Sequence, residues 1–208
     1  TLTGMLNQIG LEQCKSDTCL YRKSCVGGGW LFLLIYVDDL LLVATQAKEI
    51  DQIESALEKR FKITRLGDIR SFLGIRVRRN SDGFFVISQR AFVERLKTRF
   101  GLEHAKGSRY PMDPGYFKVT TDSPKMESNG DYHKLIGCLL YLVVNSRPDI
   151  AATVGILSRK VSSPTETDWT EAKRIVRYLI HTVDYGLVLG SSSKEFQLTA
   201  YCDADWAG

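Results

Sequence analysis

Trp30-Leu31-Phe32-Leu33-Leu34-Ile35-Tyr36-Val37-Asp38-Asp39-Leu40-Leu41-Leu42-Val43-Ala44 is the stretch that decides the fold. Its only charges are the adjacent aspartates Asp38 and Asp39. A nearly unbroken apolar run of this length reads as a strand covered on both faces, so Trp30 to Val37 predicts one such strand. Leu40 to Ala44 resumes the apolar run as a second strand. Two apolar strands around an acidic pair read as a tight hairpin with the carboxylates at its tip. The pair also interrupts the longest apolar stretch of the chain, so no bilayer span is expected.

Working outward, Cys19 to Cys25 reads as a short strand and Gly27-Gly28-Gly29 as a turn. Thr45 reads as the cap of a helix carrying Ile50, Ile53, Leu57 and Phe61 at helical spacing. Phe72 to Arg78 is a strand, Asn80 to Gly83 a turn, and Phe84 to Ile87 a returning strand. Ser88 reads as the cap of a helix with Phe92, Leu96 and Phe100 on one face and Gly101 as its stop. Residues 102–131, with Pro111, Pro114 and Pro124, read as a connector. Three helices should follow, over Tyr132–Asn145, Pro148–Lys160 and Trp169–His181. Two short strands, Gly186–Leu189 and Phe196–Cys202, close the chain. The pattern is α+β, with a small antiparallel sheet, a helical section and a strand pair that begins a further domain.

The 208 residues carry a net charge of +4 and are 44% apolar, enough for a folded core. The charge is uneven: Lys59 to Arg109 holds 14 basic and 4 acidic residues, a net of +10 that points to a polyanionic partner. The five cysteines, Cys14, Cys19, Cys25, Cys138 and Cys202, are odd in number and match no zinc spacing; they read as small hydrophobes in a reducing compartment. No signal peptide opens the chain. The start at Thr1 and the stop at Gly208 within a patterned stretch read as cut ends of something longer.

Paired carboxylates between apolar strands repel each other, and burial would raise their pKa values. A cation that neutralises them removes the penalty. Mg²⁺ takes hard oxygen ligands and accepts one or two carboxylates plus substrate phosphates. Two such ions clamp the attacking and leaving oxygens of a phosphoryl transfer. The plainer reading is a solvated Asp-Asp turn with no ligand. The strong apolar flanks favour the metal.

Tyr36-Val37-Asp38-Asp39-Leu40-Leu41 resembles the palm hairpin of copia-type retrotransposon reverse transcriptases. Phe72-Leu73-Gly74-Ile75 is similar to the following strand, which seats the primer end. Ile87-Ser88-Gln89-Arg90, Tyr132 through Leu142, Arg147-Pro148-Asp149-Ile150, Tyr178-Leu179 and Asp184-Tyr185-Gly186-Leu187 resemble later segments in the same order. Cys202-Asp203-Ala204-Asp205-Trp206 resembles the opening of ribonuclease H. The resemblance covers nearly the whole chain. It implies a fragment of a Pol polyprotein: palm and start of thumb over 1–101, connector over 102–131, helical thumb or connection over 132–183, and a truncated ribonuclease H start over 184–208.

The implied activity is RNA-directed DNA polymerisation, with RNA template, DNA primer, RNA–DNA hybrid, deoxynucleoside triphosphates and the rest of Pol as partners and no membrane. Asp38 and Asp39 are the implied catalytic Mg²⁺ ligands, with Asp38 the principal one, and Asp203 the first ribonuclease H ligand. Tyr36 would lie near the primer terminus or incoming nucleotide, and Phe72, Leu73 and Gly74 against the primer. The family works in cytoplasmic particles before its DNA enters the nucleus. Its palm also uses an aspartate on an earlier strand, which neither Glu12 nor Asp17 supplies, so the chain alone is expected to be inactive.

Arg76, Arg78 and Arg79 fall on the strand after the primer-seating segment, and Arg90, Arg95, Lys97 and Arg99 on the next helix. They read as phosphate contacts, with Arg76, Arg78, Arg90 and Lys97 the leading candidates; the plainer reading is a solvated face partly offset by Glu94. Phe84, Phe85, Phe92 and Phe100 read as core rather than base-stacking residues, His104, His133 and His181 as isolated, and Trp169 and Trp206 as packing anchors. Two other functions stay open: a decayed or co-opted remnant that binds nucleic acid without catalysis, and another paired-aspartate palm enzyme such as a nucleotide cyclase.

Overall fold

A computed structural model describes residues 2–119, 122–190 and 200. The expected strand over 196–202, together with Asp203, Asp205 and Trp206, lies outside the described residues. The chain is α+β and divides into two compact units, Thr1–Gly67 and Asp68–Gly208. Among the described residues, no helix is long and apolar enough to cross a membrane.

In the first unit, α1 (Leu2–Gln8) leads into a sheet of β1 (Glu12–Gln13), β2 (Leu20–Ser24), β3 (Trp30–Tyr36) and β4 (Asp39–Ala44), and α2 (Ala47–Glu58) follows. The sheet is antiparallel throughout and ordered as in the sequence. Its core joins Met5, Leu6, Leu11, Tyr21, Leu31, Leu33, Ile53 and Leu57. Arg65 fastens the segment after α2 back onto that helix through Glu54 (3.0 Å) and Glu58 (2.6 Å).

The structure corrects the reading of β3 as covered on both faces. Leu31 and Leu33 are buried, but Trp30, Phe32 and Tyr36 on the alternate face are exposed. An antiparallel sheet with both helices contributing to one core cluster leaves its other face open. Composition misled here because the exposed face is apolar too: Trp30 and Phe32 stack on each other, and Arg22 lies over Trp30. Thr45 is not the helix cap. Its hydroxyl bonds the backbone of Trp30 instead, and the helix begins after Gln46.

The second unit holds another antiparallel sheet, β5 (Ser71–Phe72), β6 (Ile75–Arg79), β7 (Phe85–Ser88) and β8 (Leu187–Leu189), with α3 (Arg90–Arg99), α4 (Tyr116–Val119), α5 (Gly130–Asn145), α6 (Ala151–Ser158) and α7 (Glu166–His181). The helices bury Val93, Leu96, Tyr132, Leu135, Leu139, Leu142, Val154, Leu157, Ile175 and Leu179 in one core. The compact-unit boundary at Gly67 puts β5 to α3 with the later helices, because Val93 and Leu96 of α3 belong to that core. β8 pairs with β7 and, among the described residues, lies at the edge of this sheet.

Local signals explain the helix ends. Gly101 sits at φ 65° after α3, and the amides of Gly101 and Leu102 bond the carbonyls of Thr98 and Lys97 in a Schellman arrangement. The helix starts after Gln89, not Ser88, which belongs to β7. α7 opens on a reciprocal box between Thr165 and Asp168, and Asp168 also accepts the Tyr116 hydroxyl (2.6 Å). The second predicted helix is a 3₁₀ turn at Pro148–Ile150 followed by α6.

Arg147 is buried at the junction of α5 and α6. Its guanidinium donates to both Asp149 carboxylate oxygens (2.9 and 2.8 Å) and to the Thr182 hydroxyl and carbonyl (2.6 and 3.2 Å). The Tyr178 hydroxyl donates to Asp149 as well (2.9 Å). Burial works to raise the Asp149 carboxyl, but the bonds and charge of Arg147, with the Tyr178 bond, hold it below the ordinary value. Stability from this pair is therefore complete above the usual carboxylate range and is lost as pH falls through the lowered value. In urea unfolding of the whole chain, Arg147→Met should cost about 1–3 kcal/mol, because the Thr182 hydroxyl and carbonyl lose their buried donor while Asp149 is left facing solvent. Asp149→Asn should lower stability at neutral pH and flatten the acid-side loss; an unchanged acid limb would refute this role.

Candidate metal and nucleic-acid site

Tyr36 pairs directly with Asp39, which leaves Val37 and Asp38 as the two central residues of the turn between β3 and β4. Val37 has φ 52°, while Asp38 is not in the positive region. That is the pattern of a II′ turn, which ordinarily places glycine first because its twist matches the strands. A β-branched residue there is an outlier that costs about 1–2 kcal/mol. Val37 is 84% exposed, so packing of its side chain does not explain its presence.

Asp38 and Asp39 are both exposed, not buried between the apolar strands. The two-residue turn projects them beyond the core instead. Among the described residues neither carboxylate has an ion-pair or hydrogen-bond partner. Two hard oxygen donors open to solvent suit Mg²⁺ shared with substrate phosphates. Among the described residues no cluster of three or more potential ligands forms, so the pair is at most part of a complete metal site.

In the second unit, Phe72 and Ile75 pair across Leu73 and Gly74, at φ 50° and 79°. Two positive angles in succession make a I′ turn, with glycine where the second requires it. The Tyr141 hydroxyl of α5 donates to the Leu73 carbonyl (2.7 Å), and its ring meets Phe92 of α3 edge-on. A Cβ on Gly74 would stand 3.2 Å from that hydroxyl. The turn is thus clamped onto the helices.

The basic candidates divide by their partners. Arg76 and Arg78 lie on one face of β6, exposed and, among the described residues, without an anionic partner. Arg90 is paired with Asp184, and Lys97 with Glu94 at 3.6 Å. Arg79, Arg95 and Arg99 lie over Phe85, Phe92 and Phe100. Phe92 and Phe100 pack against the core and Trp169 meets Phe100 edge-on, while Phe85 is exposed. The His133 ring bonds the Val161 carbonyl (2.7 Å). Tyr36, Asp38 and Asp39 thus gather on one turn of the first unit, and Phe72, Leu73, Gly74, Arg76 and Arg78 on one hairpin of the second.

Sequence reading did not single out Tyr141 or the Arg147–Asp149–Tyr178 network. The signals were present: Arg147-Pro148-Asp149 and Tyr178 stood among the family-like segments, and Tyr141 lay within another. Their contacts show that they hold the fold of the second unit.

Residues 1–114 match the reverse transcriptase (RNA-dependent DNA polymerase) family. The chain belongs to the reverse transcriptase family. It is similar to the retrovirus-related Pol polyprotein of transposon TNT 1-94 from Nicotiana tabacum, 34% identical over 201 residues, which are 93% of this chain and 15% of that protein. The Pol polyprotein of transposon RE2 from Arabidopsis thaliana is 32% identical over 96% of this chain and 14% of its own length. An uncharacterised mitochondrial protein of Arabidopsis thaliana is 32% identical over 86% of this chain and 72% of its own length. The chain thus resembles a copia-type Pol segment and spans only about 15% of the tobacco polyprotein. No solved structure matches.

In this reverse transcriptase segment, Val37→Gly should raise stability by about 0.5–1 kcal/mol, because glycine adopts the turn without strain. A thermal melt showing clear destabilisation would contradict the strained turn. Tyr141→Phe should cost about 1 kcal/mol by removing the bond to Leu73.

Proposed function

We propose that the chain is a palm-to-thumb segment of an RNA-directed DNA polymerase whose Asp38-Asp39 turn holds divalent metal at the end of a growing primer. The observation that carries this reading is a pair of solvent-facing carboxylates, unneutralised by protein, on a strained two-residue turn in a chain of the reverse transcriptase family. Strain kept at an exposed position, where no side-chain packing requires it, is the signature of a functional constraint.

Asp38 and Asp39 would hold the ion. Bound there, Mg²⁺ would neutralise phosphate charge and activate the primer hydroxyl for in-line displacement. Tyr36, directly opposite Asp39, presents its ring on the open sheet face beside the acids, suited to contact with the primer terminus or incoming nucleotide. The clamped Leu73-Gly74 turn offers a rigid edge against the primer, and Arg76 and Arg78 offer unpaired charge to phosphate. Arg90 and Lys97 contribute less, since each already has a carboxylate partner. RNA template, DNA primer, hybrid, deoxynucleoside triphosphates and the rest of Pol are the proposed partners. The ribonuclease H assignment of Asp203 rests on the sequence resemblance alone.

Two carboxylates do not complete a two-metal site. Among the described residues β4 pairs only with β3, and its free edge begins at Asp39. A further strand added there would deliver its side chains beside the acids. The isolated chain should therefore show no primer extension. That incompleteness also favours a second reading, a co-opted segment that binds nucleic acid without catalysis. Substituting this chain for the corresponding stretch of the tobacco polyprotein separates the two. The polymerase reading expects Mg²⁺-dependent extension that falls at least about a thousandfold in Asp38→Asn with folding intact. Extension that survives Asp38→Asn would refute the metal role, and a folded chimera with no extension would favour the second reading.

A further inference from the structure

α7 separates two hollows of opposite charge. One, about 590 Å³, is lined by Asp113, Asp122, Glu166 and Glu171. The other, about 340 Å³, is lined by Lys106, Lys173 and Arg177, with Leu102, Ala105 and Thr170 between them and no acidic residue. Arg174, on the same helix, is engaged by Asp113 and Glu171 and adds nothing to the basic side.

The basic hollow is built from segments far apart in sequence. The Arg177 side chain donates from Nε to the Lys106 carbonyl (2.7 Å), and the Ser108 amide donates to the Arg177 carbonyl (3.1 Å). These bonds lay residues 106–108 along α7. Gly107 permits the close approach, since a Cβ there would stand 3.1 Å from Cβ of His181. Arg177 is oriented by a neutral carbonyl, so its charge is not neutralised. Lys173 lies over the Trp169 ring, its ammonium 5.1 Å from the centroid, and among the described residues neither it nor Lys106 has an ion-pair partner. Lys173 and Arg177 are spaced i, i+4 on the helix, where like charges destabilise by a few tenths of a kcal/mol. Packing Lys106 beside them adds to that cost unless an anion sits among the three.

We propose that this hollow binds the sugar–phosphate backbone of the nucleic acid on which the protein acts, at a site separate from Arg76 and Arg78. The inference rests on the proposed polymerase reading and extends it. Three cations around an apolar floor suit a chain of phosphates joined by sugars, with the cations on the charged oxygens and Leu102 and Ala105 beneath the ribose. Asp122 and Glu166, the two carboxylates of the other hollow that Arg174 does not engage, disfavour the same strand on that side of α7. Contacts of this kind position a duplex without reading its sequence.

The test uses the 208-residue chain and a labelled RNA–DNA hybrid. Lys106→Glu/Lys173→Glu should weaken binding at least tenfold at 150 mM salt and reduce the log–log salt slope by about 2. A photo-crosslinking benzoylphenylalanine in place of Ala105, which lines the basic hollow and not the acidic one, should label the hybrid, and this second readout decides the question if the double variant does not fold. Wild-type binding that is lost in Arg76→Glu/Arg78→Glu but unchanged in the folded double variant, with no crosslink from position 105, would overturn the hollow and leave the polymerase reading standing. No hybrid binding by the wild type would overturn both. Competition by polyaspartate as effective as unlabelled hybrid would assign the hollow to an acidic protein and overturn the proposal.

Discussion

The register between β3 and β4 is the constraint on which the candidate site depends. Side chains alternate with a period of two, so a slip of one residue would turn Leu31 and Leu33 out of the core and Phe32 and Leu34 into it. Tyr36 opposite Asp39 sets that register and leaves two residues to reverse the chain. The apolar alternation inside the first unit and the position of the carboxylates outside it are thus one feature. The cost falls on Val37, which takes a backbone conformation that glycine would adopt freely.

The second unit solves a related problem by other means. Its I′ turn has glycine at the second position, while Leu73 at the first also takes a positive φ, and beyond its strand pairing the turn is fixed by a hydroxyl from α5. The helices that supply that hydroxyl are tied together by Arg147, which bridges Asp149 and Thr182 and lies near the rings of Tyr178 and Tyr185. Removing a buried charge partner costs far more than removing a surface pair, so the network has more bearing on stability than the exposed Arg65 contacts. Positioning of the turn and cohesion of the helices therefore share the same core.

Much of this was legible in the sequence. Helical spacing located α2, α3, α5 and α7, glycine marked the end of α3, and the acidic pair located the turn. The exposed face of β3 was not legible, because Trp30 and Phe32 are as apolar as the buried Leu31 and Leu33, and hydropathy cannot tell an open apolar face from a covered one. Thr45 and Ser88 misled as caps because a hydroxyl before a helix also serves a neighbouring strand. The division of the basic block was hidden for another reason: the partners of Arg90 and Lys97 become evident only when Asp184 and Glu94 are placed in space. The basic hollow was hidden for the same reason, since Lys106 meets Lys173 and Arg177 only through the fold.

The proposed grip of the Asp38-Asp39 turn on a divalent ion, where a nucleic-acid strand ends, is tested most directly by iron-directed cleavage of the protein. Fe²⁺ replaces Mg²⁺ in the chimeric polyprotein with hybrid and nucleotide bound; added hydrogen peroxide oxidises it, ascorbate reduces it back, and the hydroxyl radicals formed cut the backbone next to the ion. The expected result is a cut within residues 36–40 that needs hybrid, is suppressed by excess Mg²⁺ and disappears in Asp38→Asn. Cleavage elsewhere only, or a cut near residue 38 that persists in Asp38→Asn, would contradict it.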